Sequence, residues 1–358
     1  MKKTVMSFLV IVVSVSLSCS QKTDATVVGN PGESGGNTTG VWSIPVKDIL
    51  DGGPGKDGIP ALENPLMISS QEATYLSEDD LVIGYKKGDD VRAYSHIVLD
   101  WHEIINDNIG NVSLALTYCP LTGTGIGWNR IVKGKETTFG VSGLLYNTNL
   151  IPYDRETGSN WSQILNEAVN GELIGEKAAL IPLVEMQWGA WKAMYPNSKV
   201  VSTSTGHSRD YGISPYGNYA EEHDFFLFPV EKDARLNSKE RVLTLVSGKQ
   251  AKVYRFPSFE AVKIIYDDFL GEQYMVVGNE SFMVAFKIEA EHNLLEFEYV
   301  YNGTAAVLLT DDEGNEWDVF GEALSGPRKG QKLGAAPYFM AYWFSIPAFY
   351  TTVIYTGN

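Results

Sequence analysis

The chain has 358 residues, 44% of them hydrophobic, with 44 acidic against 28 basic side chains and a formal net charge of −16. That excess of acid argues against nucleic acid or an anionic membrane surface as a partner held by charge. Cysteine occurs at Cys19 and Cys119 alone, which leaves no room for a disulfide framework.

Lys2 and Lys3 precede an apolar run from Val5 to Leu17, closed by Ser18 and Cys19. A charged start, a short apolar core and a small-residue exit form a signal peptide, and the core is short for a bilayer crossing. Ser16-Leu17-Ser18-Cys19 resembles a lipobox, with Ser16 where leucine is usual. Residues 1–18 then leave with the signal, and Cys19 becomes an acylated membrane attachment. Residues 19–40 are rich in Gly, Asn, Thr and Ser without apolar periodicity, the composition of a flexible tether. If Cys19 is acylated, Cys119 is a lone thiol in an exported chain, and must be buried, liganded, reactive or intermolecular.

Residues 41–74 read as an extension packing on the first folded module. From there the local signals are mostly strand. Leu81–Tyr85 and Val91–Tyr94 flank a turn and predict a hairpin, and Val242–Val246 with Ala251–Tyr254 repeats it. His96 to Ile105 predicts a short helix with Ile97, Trp101 and Ile104 on one face. Val112 to Tyr118 alternates as a core strand ending at Cys119-Pro120, and residues 126–131, 136–141 and 150–154 are further strand candidates. Val184, Trp188, Trp191 and Tyr195 fall at helical spacing between Pro182 and Pro196.

Moving Pro182, Trp188 and Trp191 on by 155 positions lands on Pro337, Trp343 and Ile346, and the same shift carries Ala168, Gly171 and Gly175 onto Ala323, Gly326 and Gly330. Trp161 falls on Trp317 at 156. Upstream a shift of 160 places Gly88, Tyr94, Ile104, Ile105 and Asp107 on Gly248, Tyr254, Ile264, Ile265 and Asp267. Ordered coincidences of this kind predict an internal repeat. The expected fold class is mainly β (α+β): two tandem, duplicated, curved antiparallel sheet modules with short peripheral helices. They span residues 75–200 and 235–352, with an inter-module loop region at 201–234 that has no counterpart.

The segments Trp101-His102-Glu103-Ile104-Ile105-Asn106-Asp107, Thr117-Tyr118-Cys119-Pro120-Leu121-Thr122-Gly123 and Phe139 to Asn147 carry a specific likeness. So do Tyr153 to Thr157, Ser159 to Gln163, Thr205 to Tyr211 and Lys239 to Leu243. Together they resemble the bacterial and archaeal family catalogued as domain of unknown function 3179, over Asp57 to Phe349. The resemblance implies no established reaction. It does imply a second cysteine where this chain has Thr122, so a dithiol cycle or paired-thiolate metal grip lacks its partner here.

Candidate chemistry gathers in the first module. His102 can be a general base or ligand, or can brace a loop, and on a continuous helix it would share a face with Asn106. Cys119 can be a nucleophile or soft-metal ligand, or an inert core thiol; with His102 or His207 it would suit copper or zinc. Glu103, Asp154, Arg155, Arg209, Asp210 and Tyr211 are candidate ligand-binding residues. Arg209 is suited to a carboxylate, and Asp154 and Arg155 would point to opposite faces of a strand. In the second module Ala261-Val262-Lys263 stands where the first has Trp101-His102-Glu103, which favours one site in or against the first module. The glycines of Asp51-Gly52-Gly53-Pro54-Gly55 lack the strand and helix context of a phosphate cradle. The expected protein is an exported cell-envelope lipoprotein, periplasmic or outer-membrane associated, that binds a small molecule or metal. A cysteine/histidine-dependent enzyme and a noncatalytic scaffold or interaction protein are the alternatives.

Overall fold

The computed structural model describes residues 40–357, so the signal, Cys19 and most of the tether lie outside the described residues. Three short strands come first: β1 (Ile49–Asp51), β2 (Leu62–Glu63) and β3 (Met67–Ser69). The expected hairpin follows as β4 (Leu81–Lys87) and β5 (Asp90–Ser95), then helix α1 (His96–His102), capped by the Ser95 hydroxyl accepting from Val98 N. The helix ends earlier than its periodicity predicts, because Glu103 takes a left-handed φ of 55° and breaks the bond ladder. Ile104 and Asn106 therefore lie in a strand, β6 (Ile104–Ile109), and Asn106 does not share a helical face with His102. Next come β7 (Val112–Cys119), β8 (Thr124–Asn129), the small hairpin β9 (Ile131–Val132) and β10 (Lys135–Glu136), β11 (Phe139–Tyr146), β12 (Asn149–Asp154), β13 (Asn160–Ser162), β14 (Glu167–Asn170) and β15 (Leu180–Ile181). The first half closes with β16 (Val184–Gln187), helix α2 (Trp188–Met194) and β17 (Lys199–Val201). Val184 thus belongs to a strand paired with β4, not to the helix carrying Trp188 and Trp191.

After the connecting segment, 202–234, the second half runs β18 (Arg241–Ser247), β19 (Gln250–Arg255), a 3₁₀ turn at Phe256–Phe259, β20 (Ile264–Phe269), β21 (Glu272–Gly278) and β22 (Met283–Lys287). Then come β23 (Phe297–Tyr299), β24 (Val307–Asp311), β25 (Glu316–Asp318), β26 (Ala323–Ser325), β27 (Gly334–Ala335), β28 (Tyr338–Tyr342), a 3₁₀ turn at Trp343–Ser345 and β29 (Thr351–Ile354). Where the repeat of Trp188 at Trp343 would place a second helix, the chain makes only that 3₁₀ turn. No helix among the described residues is long and apolar enough to cross a membrane.

Apart from the separate β9–β10 hairpin, the strands of each half are divided among three open sheets rather than one strongly curved sheet. In the first half the orders are β16-β4-β5-β17-β3, β15-β8-β7-β6-β2 and β1-β11-β12-β13-β14; in the second they are β28-β18-β19-β29, β20-β21-β22-β27 and β23-β24-β25-β26. Strand for strand the orders correspond, including a parallel pairing of β17 with β5 and of β29 with β19. The first half differs in carrying the β9–β10 hairpin and in that β1, β2 and β3 each extend the edge of a different sheet. Side chains repeat the match. Tyr94 donates to buried Asp107 at 2.5 Å beside Arg92, as Tyr254 donates to Asp267 at 2.7 Å beside Lys252. Trp161 Nε1 donates to Asp154, as Trp317 Nε1 donates to Asp311.

The two largest apolar cores are shared between the halves. One joins Trp128, Phe139 and Trp161 of the first half to Val242, Val253, Ala341 and Trp343 of the second. The other joins Val82, Met186, Trp188 and Trp191 to Met275, Val284, Leu308 and Trp317. Contacts across the interface are reciprocal: Tyr342 N donates to Thr122 O and Gln187 N to Ser281 O, while Tyr350 OH reaches Ile164 O and Tyr195 OH reaches Asp318. Such exchange is the pattern of an isologous interface, here within one chain. Packing is close enough to dictate residue type: a Cβ on Gly84 would stand 1.9 Å from the Trp191 ring, so the β4 position beneath that indole has room for glycine alone.

Candidate functional site

Residues 202–234 lie as a strap across the end of α1, and four consecutive residues there meet it. Ser214 Oγ donates to Asp100 at 3.3 Å, and Trp101 Nε1 donates to Ile213 O at 3.2 Å with the Arg209 guanidinium over its ring. His102 Nε2 lies 2.7 Å from Tyr211 OH, and Tyr216 OH donates to Glu103 Oε1 at 2.9 Å. The His102 tautomer follows from its partners. Nδ1 is 2.7 Å from Pro60 O, which can only accept, so Nδ1 carries the proton and Nε2 accepts from Tyr211. Thr205 Oγ1, 2.6 Å from the Tyr211 hydroxyl, completes the relay as donor. Burial lowers the His102 pKa to about 4, with the His207 and Arg209 charges acting in the same direction. His102 is thus a neutral ring with both nitrogens engaged, one by Pro60 and the other by Tyr211.

Glu103 sits one residue beyond the helix with φ 55° and ψ −32°, a conformation that costs a non-glycine residue about 1–3 kcal/mol and tends to persist where function requires it. Its carboxyl is buried, and burial together with the charge of Asp100 raises its pKa to about 7; burial raises Asp100 itself to about 7. Glu103 faces a small cavity of about 30 Å³ lined also by Leu121, Val141, Leu150, Tyr216 and Phe228. Cys119 ends β7 on the same side. It is 1% exposed, its Sγ lies 3.8 Å from Thr148 O, and burial followed by the charge of Glu103 pushes the thiol up to about 11. A protonated, enclosed thiol is a poor nucleophile and a poor metal ligand. The turn after it is locked: Thr122 Oγ1 is bonded to Thr124 at 2.9 Å and to Asn149 at 3.0 Å, and Gln163 ties the group to Thr117 and Thr124.

The structure therefore distributes the sequence candidates over separate places. His102, His207, Arg209 and Tyr211 meet on the outer side of α1, with the two imidazoles 5.4 Å apart. Cys119 and Glu103 meet on the inner side. Among the described residues no group of three or more His, Cys, Asp or Glu side chains could hold a metal ion, so Cys119, His102 and His207 do not form the copper or zinc ligand set considered above. Asp154 is saturated by Thr157 and Trp161 within its own loop, and its counterpart Asp311 bonds Trp317 in the same way, which makes it a turn brace. Arg155 faces outward to Asp57 and Glu63. Asp210 accepts from Gly212 N in an exposed turn.

Residues that the sequence left unmarked complete the picture. Asp100 belongs to the same run as His102 and Glu103, and Tyr216 and Tyr219 come from the strap; Tyr219 OH donates to Leu121 O at 3.0 Å beside the cysteine turn. At the interface between the halves His96, Glu185 and Arg241 form a buried ionic group. Arg241 pairs with Glu185 and donates to Gly123 O at 3.2 Å, while His96 stands 3.2 Å from Glu185 and 3.1 Å from Tyr118 OH. Although burial works to raise the Glu185 carboxyl, Arg241 and His96 hold it below the ordinary range. These three are far apart in the sequence, and no local pattern links them. Beside them a cleft of about 400 Å³ runs between the halves, lined by Ile126, Leu183, Glu185, Tyr274, Tyr338 and Met340.

Residues 56–353 match the family described as "Protein of unknown function (DUF3179)". No curated protein and no solved structure matches the chain.

Proposed function

The chain belongs to the DUF3179 family over residues 56–353, and because that description carries no activity, we propose from the geometry that the protein is an exported binding protein with a single small-ligand site under the strap of the first half. Glu103 is its central residue, with Tyr216 as positioning partner and Leu121, Val141 and Leu150 in the wall. The observation that carries this reading is a strained, buried carboxyl facing a small cavity at a place where the two halves differ in chemistry. Tyr118 N donates to Glu103 O just as Gly278 N donates to Lys263 O, so Lys263 stands at the corresponding point of the second half. A cavity of about 30 Å³ has room for about one water molecule, and the strap, which supplies Tyr216 and Phe228 to its lining, is the element that would shift to admit anything larger. The ligand is a small hydrogen-bond donor, an amine or alcohol, that replaces Tyr216 on the carboxyl.

Export and attachment through Cys19 belong to the same proposal and are supported by the N-terminal sequence. An origin by duplication is supported by the matching strand orders and the repeated Tyr–Asp and Trp–Asp pairs. The binding site is tested by thermal shift and ligand-observed NMR with a set of small amines and alcohols, on the native protein and on Glu103→Gln. Stabilisation by one class, lost in the variant while its fold is retained, is expected. Equal shifts in both proteins, or none in either, would remove Glu103 from the reading.

A further inference from the structure

Each of the three larger sheets of the first half ends on a strand from residues 49–69, whereas β20, β23 and β29, which correspond to β6, β11 and β17, have no such strand against them among the described residues. Open edges are templates for added strands, and the first half shows the addition already made: β1 runs antiparallel along β11, with Ile49 opposite Tyr146 and Asp51 opposite Leu144. On β23 the corresponding side carries no strand among the described residues; at its start the Tyr266 hydroxyl meets the Phe297 backbone. Val300 N donates inward to Leu308 O at 3.0 Å, and by the alternation of an antiparallel ladder the N–H and C=O of Tyr299 face outward.

Beside that edge lies a cavity of about 400 Å³ lined by Gly189, Lys263, Asn279, Glu280, Tyr299 and Tyr301. Two phenol rings and a carboxylate are the surroundings of a bound cation. Asn279 Nδ2 holds the Tyr299 hydroxyl at 3.0 Å, and Tyr301 packs edge-on against Phe282, so the rings are positioned. Lys263, the basic residue present, donates to Phe259 O at 2.9 Å. Glu280, Glu296 and Glu298 are exposed, and none of them forms an ion pair among the described residues, which gives the edge an acidic border.

We propose that the β23 edge is a docking site for an extended, basic segment of another protein, which adds as an antiparallel strand and places an arginine or lysine side chain in the Glu280–Tyr299–Tyr301 cavity. Backbone pairing supplies the geometry and the cavity supplies the choice of side chain, as in other strand-addition interfaces.

The test uses a dye-labelled hexapeptide of alternating valine and arginine, read by fluorescence anisotropy against the full protein. Two controls accompany it: the valine–glutamate counterpart, and the valine–arginine peptide N-methylated at alternate residues so that it cannot pair with an edge. Saturable binding of the first peptide alone is expected, with Glu280→Gln weakening it by about tenfold or more. Amide exchange should slow at residues 297–301 on binding. Equal binding of the N-methylated peptide would reduce the effect to charge, and protection elsewhere would move the site. Sedimentation showing a dimer that Glu298→Lys disperses would make a second copy the occupant. Any of these results, or absence of binding, overturns the proposal.

Discussion

Replacing Glu103 with glutamine removes a buried ionisable group while keeping its shape and an acceptor for Tyr216. Folding raises the Glu103 pKa from 4.5 to about 7, so the native state holds this proton more tightly than the unfolded chain does. The stability contributed by the group is complete below the unfolded value and is lost as pH rises through about 7. At about 1.4 kcal/mol per unit, the native protein should lose about 3 kcal/mol relative to Glu103→Gln between about pH 4 and about pH 8.5. Because the Asp100 charge contributes to raising Glu103, the two carboxyls titrate as a pair, and in an Asp100→Asn background the difference should shrink. Urea denaturation of the three proteins at several pH values measures it directly. A difference between native protein and variant that stays constant with pH, or grows toward acid, would refute the assignment of a neutral, buried Glu103.

Cys119 should resist an aromatic disulfide reagent in the folded protein at mildly alkaline pH and react at once in denaturant, because the thiol is 1% exposed and pushed up to about 11; rapid native labelling would contradict its enclosure. Gly84→Ala should cost about 1–3 kcal/mol or more, since the added carbon meets the Trp191 ring at 1.9 Å. Gly88→Ala, in open space at φ 58°, should cost only about 1 kcal/mol, and equal losses in the two urea curves would show that the indole yields. Residues 235–357 alone should fail to unfold cooperatively, because both large cores draw on the two halves; adding a separate polypeptide of residues 41–234 should restore a cooperative transition, and autonomous folding of the shorter piece would show that the shared cores are dispensable.

Local pattern was enough to reveal the hairpins at Leu81–Lys87 with Asp90–Ser95 and Arg241–Ser247 with Gln250–Arg255, the core strand ending at Cys119, and the equivalence of positions such as Tyr94 with Tyr254. Alternation, turn glycines and recurrent aromatics are short-range properties, and a sequence displays them without its neighbours in space. Helix boundaries were less legible. The periodicity of His96 to Ile105 continues through Glu103, but the left-handed turn there and the pairing of Ile104–Ile109 with Val112–Cys119 override it, since a ladder bond to a distant strand is invisible in the helix's own residues. The same competition took Val184 into a strand beside Val82–Gly84.

The chemistry of the site was decided almost wholly by tertiary structure. The sequence displayed Cys119 after a core strand, a polar run at His102-Glu103 and a polar segment carrying His207 to Tyr211. It could not establish that His102 would be spent between Pro60 and Tyr211, that Asp154 would serve its own loop, or that His96, Glu185 and Arg241 would meet at the seam. Protonation state depends on burial and on charges brought close by folding, and these are properties of distances between residues remote in the chain. Side-chain type fixes what a residue can do; the packing of the strap against α1, and of one half against the other, fixes which of those capacities Glu103, His102 and Cys119 retain.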